Sequence, residues 1–243
     1  YPDGQGGTTT VTTTADADGH WSVPNPGLKD GDEVTATATD AAGNVSQPGN
    51  TVIDGTAPTA PAAPTQYLDN TDPVQGTFGT GTSTNDSTPG LIIPAPAAGE
   101  TPKLYVDGAA VAATYDAATG TLTPTTPLSE GEHKLSYTLT DAAGNESDPS
   151  PALTLTVDTQ APDAPVVNPA NTHDPITGTA EAGSTVSVSY PDGQGGTTTV
   201  TTTADASGNW TVPNPGLKDG DTVTATATDE AGNVSQPGQT TID

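Results

Sequence analysis

Cysteine, methionine and arginine are all missing from the 243 residues, and the four basic residues, Lys29, Lys103, Lys134 and Lys218, face 30 acids. Without cysteine there is neither a disulfide framework nor a thiolate site. Without arginine, and with a formal net charge of -26, nucleic acid, phosphate and anionic membrane are excluded as partners. No apolar run approaches the ~20 residues of a membrane-spanning helix, so no membrane insertion is expected of this segment, and no secretion signal is visible at its start. Such an acidic surface invites cations.

Large apolar residues are also scarce: Val, Ile, Leu and Phe together number 34 of 243. With the high charge, that composition falls in the range of disordered chains. Order along the chain overrules composition. Leu135, Tyr137 and Leu139 alternate with polar residues, as do Leu153, Leu155 and Val157, then Val186, Val188 and Tyr190, then Val223, Ala225 and Ala227. Period-two alternation rich in Thr and Val, broken every ~8–12 residues by Gly, Pro, Asn and Asp, is the pattern of antiparallel sandwiches wet on one face. The fold class is all-β, with thin cores and modest stability.

The chain repeats itself. Tyr1 to Asp54 returns 189 positions later as Tyr190 to Asp243 with seven differences: Asp18/Ser207, His20/Asn209, Ser22/Thr211, Glu33/Thr222, Ala41/Glu230, Asn50/Gln239 and Val52/Thr241. A third, divergent member lies between them, because Thr39-Asp40-Ala41-Ala42-Gly43-Asn44 and Thr228-Asp229-Glu230-Ala231-Gly232-Asn233 have a counterpart in Thr140-Asp141-Ala142-Ala143-Gly144-Asn145. Self-similarity of this kind means an array of modules. The division expected is residues 1–54 as the C-terminal part of a truncated module, 55–157 as a module of a second, longer type, and 158–243 as a complete module of the first type. Residues 1–54 lack counterparts of 161–189, about three strands. Strands are expected at 8–15, 20–23 and 33–39, and in the middle module near 90–94, 103–106, 121–124, 134–140 and 153–157. The last module's core is expected to gather Ile176, Val186, Val188, Val200, Trp210, Val212, Leu217, Val223, Ala225, Val234 and Ile242. Trp21 and Trp210 both read as core fillers.

Several pieces recur in a fixed order: Asp-x-x-Ala-Pro at Asp54 and Asp158, Thr179-Ala180-Glu181-Ala182-Gly183-Ser184, Asp205-Ala206-Ser207-Gly208-Asn209-Trp210, Leu217-Lys218-Asp219-Gly220, and Thr-Asp-x-Ala-Gly-Asn. In this order they resemble the bacterial Ig-like repeats of giant biofilm-associated adhesins. The resemblance covers the whole chain and implies tandem Ig-like Greek-key β-sandwich modules in an extended array. It further implies a type I secreted, extracellular protein held at the bacterial cell surface, with Ca²⁺ commonly bound at module junctions. Its partners would be neighbouring Ig-like modules of the same chain, and other cells or surfaces through the parent adhesin.

In such a sandwich alternate loops lie at opposite ends. The loops of Glu181, Asp205 and Asp229/Asn233 then face the linker carboxylate Asp158, and those of Glu100, Asp116 and Asp141/Asn145 face Asp54. Two carboxylates ~5 Å apart repel by roughly 3 kcal/mol at an effective dielectric near 20. Ca²⁺, which takes six to eight oxygens, would reverse that sign. The other reading of Asp-x-Ala-Gly-Asn is a plain turn, with Asp capping its own backbone. Asp16-Ala17-Asp18-Gly19 resembles part of a Ca²⁺ loop, but its partner has lost an acid at Ser207, and a hairpin turn is expected there. His20, His133 and His173 have no His or Cys at ligand spacing. No module has spare sequence for a catalytic cleft, and an enzyme is not expected. The expected function is a calcium-stiffened structural stalk of a surface adhesin supporting biofilm formation and cell adhesion. The competing expectation is a module that contacts glycan or a host or abiotic surface directly, through an exposed Thr face or the Asp-rich stretch of residues 69–86.

Overall fold

The computed structural model describes every residue from Tyr1 to Asp243 and is entirely β, without a helix. It divides into two compact units, one of residues 1–61, 96–102 and 138–149, the other of residues 62–95, 103–137 and 150–243.

The first unit holds one small sheet, in which β1 (Glu33–Ala36) pairs antiparallel with β2 (Gly49–Val52), Glu33 opposite Val52 and Ala36 opposite Gly49. The strands expected at 8–15 and 20–23 do not form; only an isolated bridge joins Pro2 to Thr8. The remaining order comes from turns in which a carboxylate caps backbone N–H groups. The Oδ1 atom of Asp3 accepts from Gln5 N and Gly7 N, both at 2.8 Å, and that of Asp40 accepts from Ala42 N at 2.9 Å and Asn44 N at 2.8 Å. Trp21 is 54% exposed rather than filling a core.

The second unit contains two sandwiches. The strands of one are β3 (Gln66–Asp69), β4 (Gly76–Gly79), β5 (Ser83–Thr84), β6 (Gly90–Ile92), β7 (Thr101–Val106), β8 (Ala109–Val111), β9 (Ala113–Asp116), β10 (Thr121–Pro124), β11 (Gly131–Thr140) and β12 (Leu153–Val157). They form two five-stranded sheets, β4-β3-β6-β10-β9 and β5-β12-β11-β7-β8. Tyr67, Leu91, Leu104, Leu122, Leu135, Tyr137, Leu153 and Leu155 are all buried; of the predicted alternation Leu135, Tyr137, Leu153, Leu155 and Val157 are buried, whereas Leu139 is half-buried beside buried Thr138. Asp107 (φ 53°) and Gly108 (φ 80°) turn β7 into β8, and two consecutive positive φ values are what a two-residue hairpin with the right twist requires. The Asp-rich stretch is not a free surface: Asp69 and Asp86 are buried, Thr84 Oγ1 donates to Asp69 Oδ2 at 2.6 Å and accepts from Asp86 N at 3.1 Å.

The other sandwich comprises β13 (Val166–Val167), β14 (Ile176–Thr179), β15 (Thr185–Pro191), β16 (Thr197–Thr203), β17 (Asn209–Val212), β18 (Thr222–Thr228) and β19 (Gly238–Thr241). Its sheets run β13-β14-β17 and β16-β15-β18-β19. The expected core is buried, with two departures: Val200 is only partly covered on the edge strand β16, and Val234, in the turn after β18, is 44% exposed. Trp210 closes this core over Gly178, directly opposite it in the β14–β17 pair. A Cβ at residue 178 would stand 2.3 Å from Trp210 Cζ2 and 2.1 Å from Val166 O, so only glycine admits the indole ring there. The sheet orders also explain the missing strands of the first unit. The counterparts of 8–14 and 20–23 are β16 and β17, and their ladder partners are β15 and β14, of which only Tyr190 and Pro191 have counterparts in residues 1–54, namely Tyr1 and Pro2.

One ionisable pair belongs to the first of these sandwiches. His133 Nδ1 lies 2.7 Å from Asp107 Oδ2, and its Nε2 lies 2.8 Å from Ser129 O. Burial by itself lowers the His133 pKa, but the hydrogen bonds to Asp107 and to the Ser129 carbonyl, with the Asp107 charge, outweigh it, and the net displacement is upward. A raised folded pKa means the stabilisation is complete below the unfolded value of about 6.5 and is lost as pH rises through the folded value. Melting temperature measured from pH 5 to 9 should therefore fall above about pH 6.5 in the wild type relative to His133→Gln; parallel profiles would remove the pair from the stability account.

Candidate functional site

The places where the repeats meet are marked by the two Asp-led linkers, and each linker is grasped in the same way. Within the first unit, the turn Asp141–Asn145 is closed by Asp141 Oδ1 accepting from Ala143 N and Asn145 N, both at 2.9 Å, while Asn145 Nδ2 donates to Asp141 Oδ2 at 2.9 Å. Gly144 takes a φ of 93°, which explains its place before Asn. The same Nδ2 donates to the Asp54 carbonyl at 3.0 Å. Within the second unit, Asn233 Nδ2 donates to Asp229 Oδ2 at 2.9 Å and to the Asp158 carbonyl at 2.8 Å. The Asn amide has two hydrogens, and the turn and the linker take one each.

The linker is also held from the side of the preceding repeat. Gly55 N donates to Asp30 Oδ1 at 2.9 Å, and at the other linker Thr159 N donates to Glu130 Oε2 at 3.1 Å, with the Thr159 hydroxyl bonded to the same carboxylate. Asp30 and Glu130 occupy equivalent places, each followed by Gly and another acid. These two acids were missed by the sequence reading, although the acid-Gly-acid pattern at 30–32, 130–132 and 219–221 was available. Ser46, Ser147 and Ser235 were missed as well. Each lies six residues after the turn Asp, and each hydroxyl accepts from a backbone N–H across the turn: Ala38 N at 2.9 Å, Leu139 N at 3.0 Å and Ala227 N at 2.9 Å. At the second linker the stretch 69–86 adds to the grasp, with Asn85 N donating to Ala231 O at 3.1 Å. A Cβ on Gly232 would lie 3.2 Å from Val74 Cβ, so this turn and Val74 are in close approach.

The hydrogen bonds displace several carboxylate pKa values downward. The Asn44 side chain does so for Asp40 and that of Asn145 for Asp141, the hydroxyl of Thr159 for Glu130, and backbone N–H groups for Asp116 (Ala118) and Asp205 (Asn209 and Ser207). These groups are ionised acceptors at neutral pH.

The other predicted ligands are placed as follows. Glu100 closes its own turn, its Oε2 accepting from Ala97 N at 2.9 Å, and a Cβ on Gly99 would lie 3.9 Å from Ala142 Cβ, so the Glu100 and Asp141 turns abut. Asp116, in the other unit, ends β9 with Oδ1 on Ala118 N at 2.8 Å. The Glu181 and Asp205 turns are tied side by side, Ala180 N donating to Gly208 O at 2.9 Å and Gly183 N to Ala204 O at 3.0 Å. Asp205 Oδ1 takes Ser207 N at 2.8 Å and Asn209 N at 2.9 Å. An all-oxygen donor set suits Ca²⁺. Convergence is weaker than the chemistry: no three of these carboxylates bring ligand atoms within 4.8 Å of one another, and the group that does is Asp16, Asp18 and His20. That group is exposed, with His20 Nδ1 3.7 Å from Asp16 Oδ2, and the second copy has Ser207 and Asn209 in place of Asp18 and His20.

Residues 3–54 and 161–243 match the family described as the bacterial Ig domain, and residues 62–159 match that described as the bacterial Ig-like domain. Among solved structures, the fibronectin(III)-like modules of Clostridium thermocellum CbhA are similar at 14% identity over 76% of this chain and 90% of theirs, with a TM-score of 0.43. A tetra-tandem repeat from the extending region of a large adhesion protein is similar at 21% identity over 89% of this chain and 68% of that one, TM-score 0.31. The BSP domain of a biofilm associated protein is similar at 22% identity over 73% of this chain and 29% of that one, TM-score 0.27. The curated proteins contain no match.

Asn233→Ala removes one donor from the Asp158 carbonyl and one from Asp229, and a lost partner of this kind costs about 0.5–1.5 kcal/mol. Thermal unfolding should show a lower midpoint for Asn233→Ala and a smaller change for Asn44→Ala, whose side chain bonds within its own turn. Equal effects of the two substitutions would show that the linker bond contributes nothing.

Proposed function

This chain belongs to the bacterial Ig domain family, whose match covers more than half of it, and from that premise we propose that it is a structural repeat segment of a bacterial cell-surface adhesin. It acts as a spacer, in modules spanning 1–54, 55–157 and 158–243, exported by type I secretion to the cell exterior and supporting biofilm formation and cell adhesion. The near-identity of its first and last copies resembles the biofilm-associated protein of Acinetobacter. The observation that carries the reading is the linker grasp repeated in register: Asp30 and Asn145 on the first linker, Glu130 and Asn233 on the second. A spacer needs its joints to transmit direction, and hydrogen bonds on both sides of a linker restrict the dihedral angles through which the joint could bend. Tiling near-identical copies suits a spacer, in which each repeat meets only its neighbours. The Asp-rich stretch as a glycan grip is the weaker reading, because Asp69 and Asp86 are buried and bonded.

Calcium is a second part of the proposal. The residues that would hold it are Asp54, Glu100, Asp141 and Asn145 in the first unit, and Asp158, Glu181, Asp205, Asp229 and Asn233 in the second; Asp116 belongs to a different unit from Asp54 and is left out of the set. When bound it supplies positive charge between carboxylates that otherwise repel. Extracellular modules bind Ca²⁺ at about 10⁻⁴–10⁻³ M, so such sites fill outside a cell and empty inside it.

Small-angle scattering with and without EGTA separates the two parts. The paired substitutions Asn145→Ala and Asn233→Ala should broaden the distance distribution in either buffer; an unchanged distribution defeats the joint reading. Chelation should lower the melting temperature and broaden the distribution of the wild type. If neither moves, the carboxylates are turn residues and the calcium part is wrong.

A further inference from the structure

Glu130 grips the second linker from the preceding repeat, and the loop that carries Glu130 is itself held by a histidine. Ser129 and Glu130 stand between two fixed points. One is Leu128, whose N–H donates to Ser87 O at 2.7 Å; the other is Gly131, which takes a φ of 113° and starts β11 opposite Val157. His133, two residues further along the same strand, is 8% exposed and turns its ring back onto this loop, with Nε2 2.8 Å from Ser129 O and 3.4 Å from Ser129 Oγ. Its Nδ1 lies 2.7 Å from Asp107 Oδ2, while Asp107 Oδ1 accepts from Lys134 N at 2.8 Å.

Both ring nitrogens therefore face atoms that have no hydrogen to give, a carboxylate and a carbonyl. A neutral imidazole carries one N–H and one lone pair, so only the imidazolium fills both bonds. On losing a proton the ring keeps the N–H that points at the charged Asp107, the stronger acceptor, and the Nε2 lone pair is left against the Ser129 carbonyl oxygen. The Ser129 hydroxyl is the donor at hand. For it to reach Nε2 the carbonyl must turn away, and the peptide joining Ser129 to Glu130 turns with it.

Asp107 is the one charge bonded to the ring. On β11 itself Glu132 and Lys134 are exposed, on the other side of the alternation from His133, and on β7 Lys103 and Tyr105 alternate with the buried Leu104 and Val106. Strand β12 sets Leu155 opposite His133 and carries no ionisable residue. Across the core, the Tyr67 hydroxyl bonds to Thr82 and Asp69 to Thr84, and Tyr115 and Asp116 lie on the edge strand β9. Glu130 stays ionised at neutral pH, because the Thr159 hydroxyl and N–H hold its pKa below the ordinary carboxylate value. We propose that His133 is a pH-dependent positioning residue for the second linker: as the imidazolium it fixes Ser129 and with it the Glu130 carboxylate on Thr159, and as the neutral ring it releases that side of the linker. Asn233 continues to hold the other side. This rests on the linker grasp acting as a joint and adds its control, a joint held from both sides in acid surroundings and from one side in alkaline ones.

The test follows the Thr159 amide proton and the His133 ring by NMR in the whole chain, from about pH 5 to about pH 9. The Thr159 N–H should lie downfield while it donates to the Glu130 carboxylate, and should lose that shift in one transition with the midpoint of the His133 ring. Asp107→Asn should abolish the transition: the new amide donates to Nδ1, the neutral ring keeps its proton on Nε2, and the Ser129 bond survives deprotonation. His133→Gln should abolish it as well, since nothing at that position titrates. A Thr159 amide that stays flat while His133 titrates in the wild type overturns the inference, and so does a transition that persists in either variant. The joint itself is judged by scattering of the Asn145→Ala and Asn233→Ala pair, which leaves His133 and Glu130 in place, so failure of the control is distinguishable from failure of the joint.

Discussion

The contact on which the last sandwich depends is that between the Trp210 ring and the bare backbone of Gly178. In that sandwich the burial of one indole contributes more apolar area than any other core residue. The ring lies across the neighbouring strand β14 of its own sheet only because residue 178 has no Cβ. Remove that strand and the same tryptophan is left in water, as Trp21 is.

Much of this order can be read from alternation. Strands β10 and β12 begin and end where the Thr-rich alternating runs do, and the Asp107-Gly108 dipeptide announces its hairpin. The strands that escaped notice are those with weak alternation, such as β4, with Gly at both ends, and the two-residue β5, which joins its sheet in parallel beside β12. Local pattern misled at 8–15 and 20–23, where the Thr-Val run has every propensity of a strand but the segment that pairs with its equivalent occurs at residues 176–191, in the last module. A strand is a property of two segments, and propensity describes only one.

The candidate site was legible in part for a similar reason. Recurrence in register identified the turn Asp and Asn and the linker Asp, and the structure joins them by hydrogen bonds. It was the linker's backbone carbonyl, and not its carboxylate, that the Asn sought, and backbone groups leave no mark in a sequence. Asp30 and Glu130 differ in side-chain length, so their equivalence shows only through the Gly that follows each. The result is a joint made of neutral amide donors and ionised acceptors, which holds its linker by directional bonds before any cation is considered.

Hydrogen exchange compares the two copies most directly, because peptides spanning Glu33 and Thr222 differ in mass while their neighbours are identical in sequence. If cover by β14 and β15 decides the fate of the repeat, amides of 223–227 should exchange far more slowly than those of 34–38. Equal protection in the two copies would show that residues 1–54 order themselves without a partner, and would contradict the account.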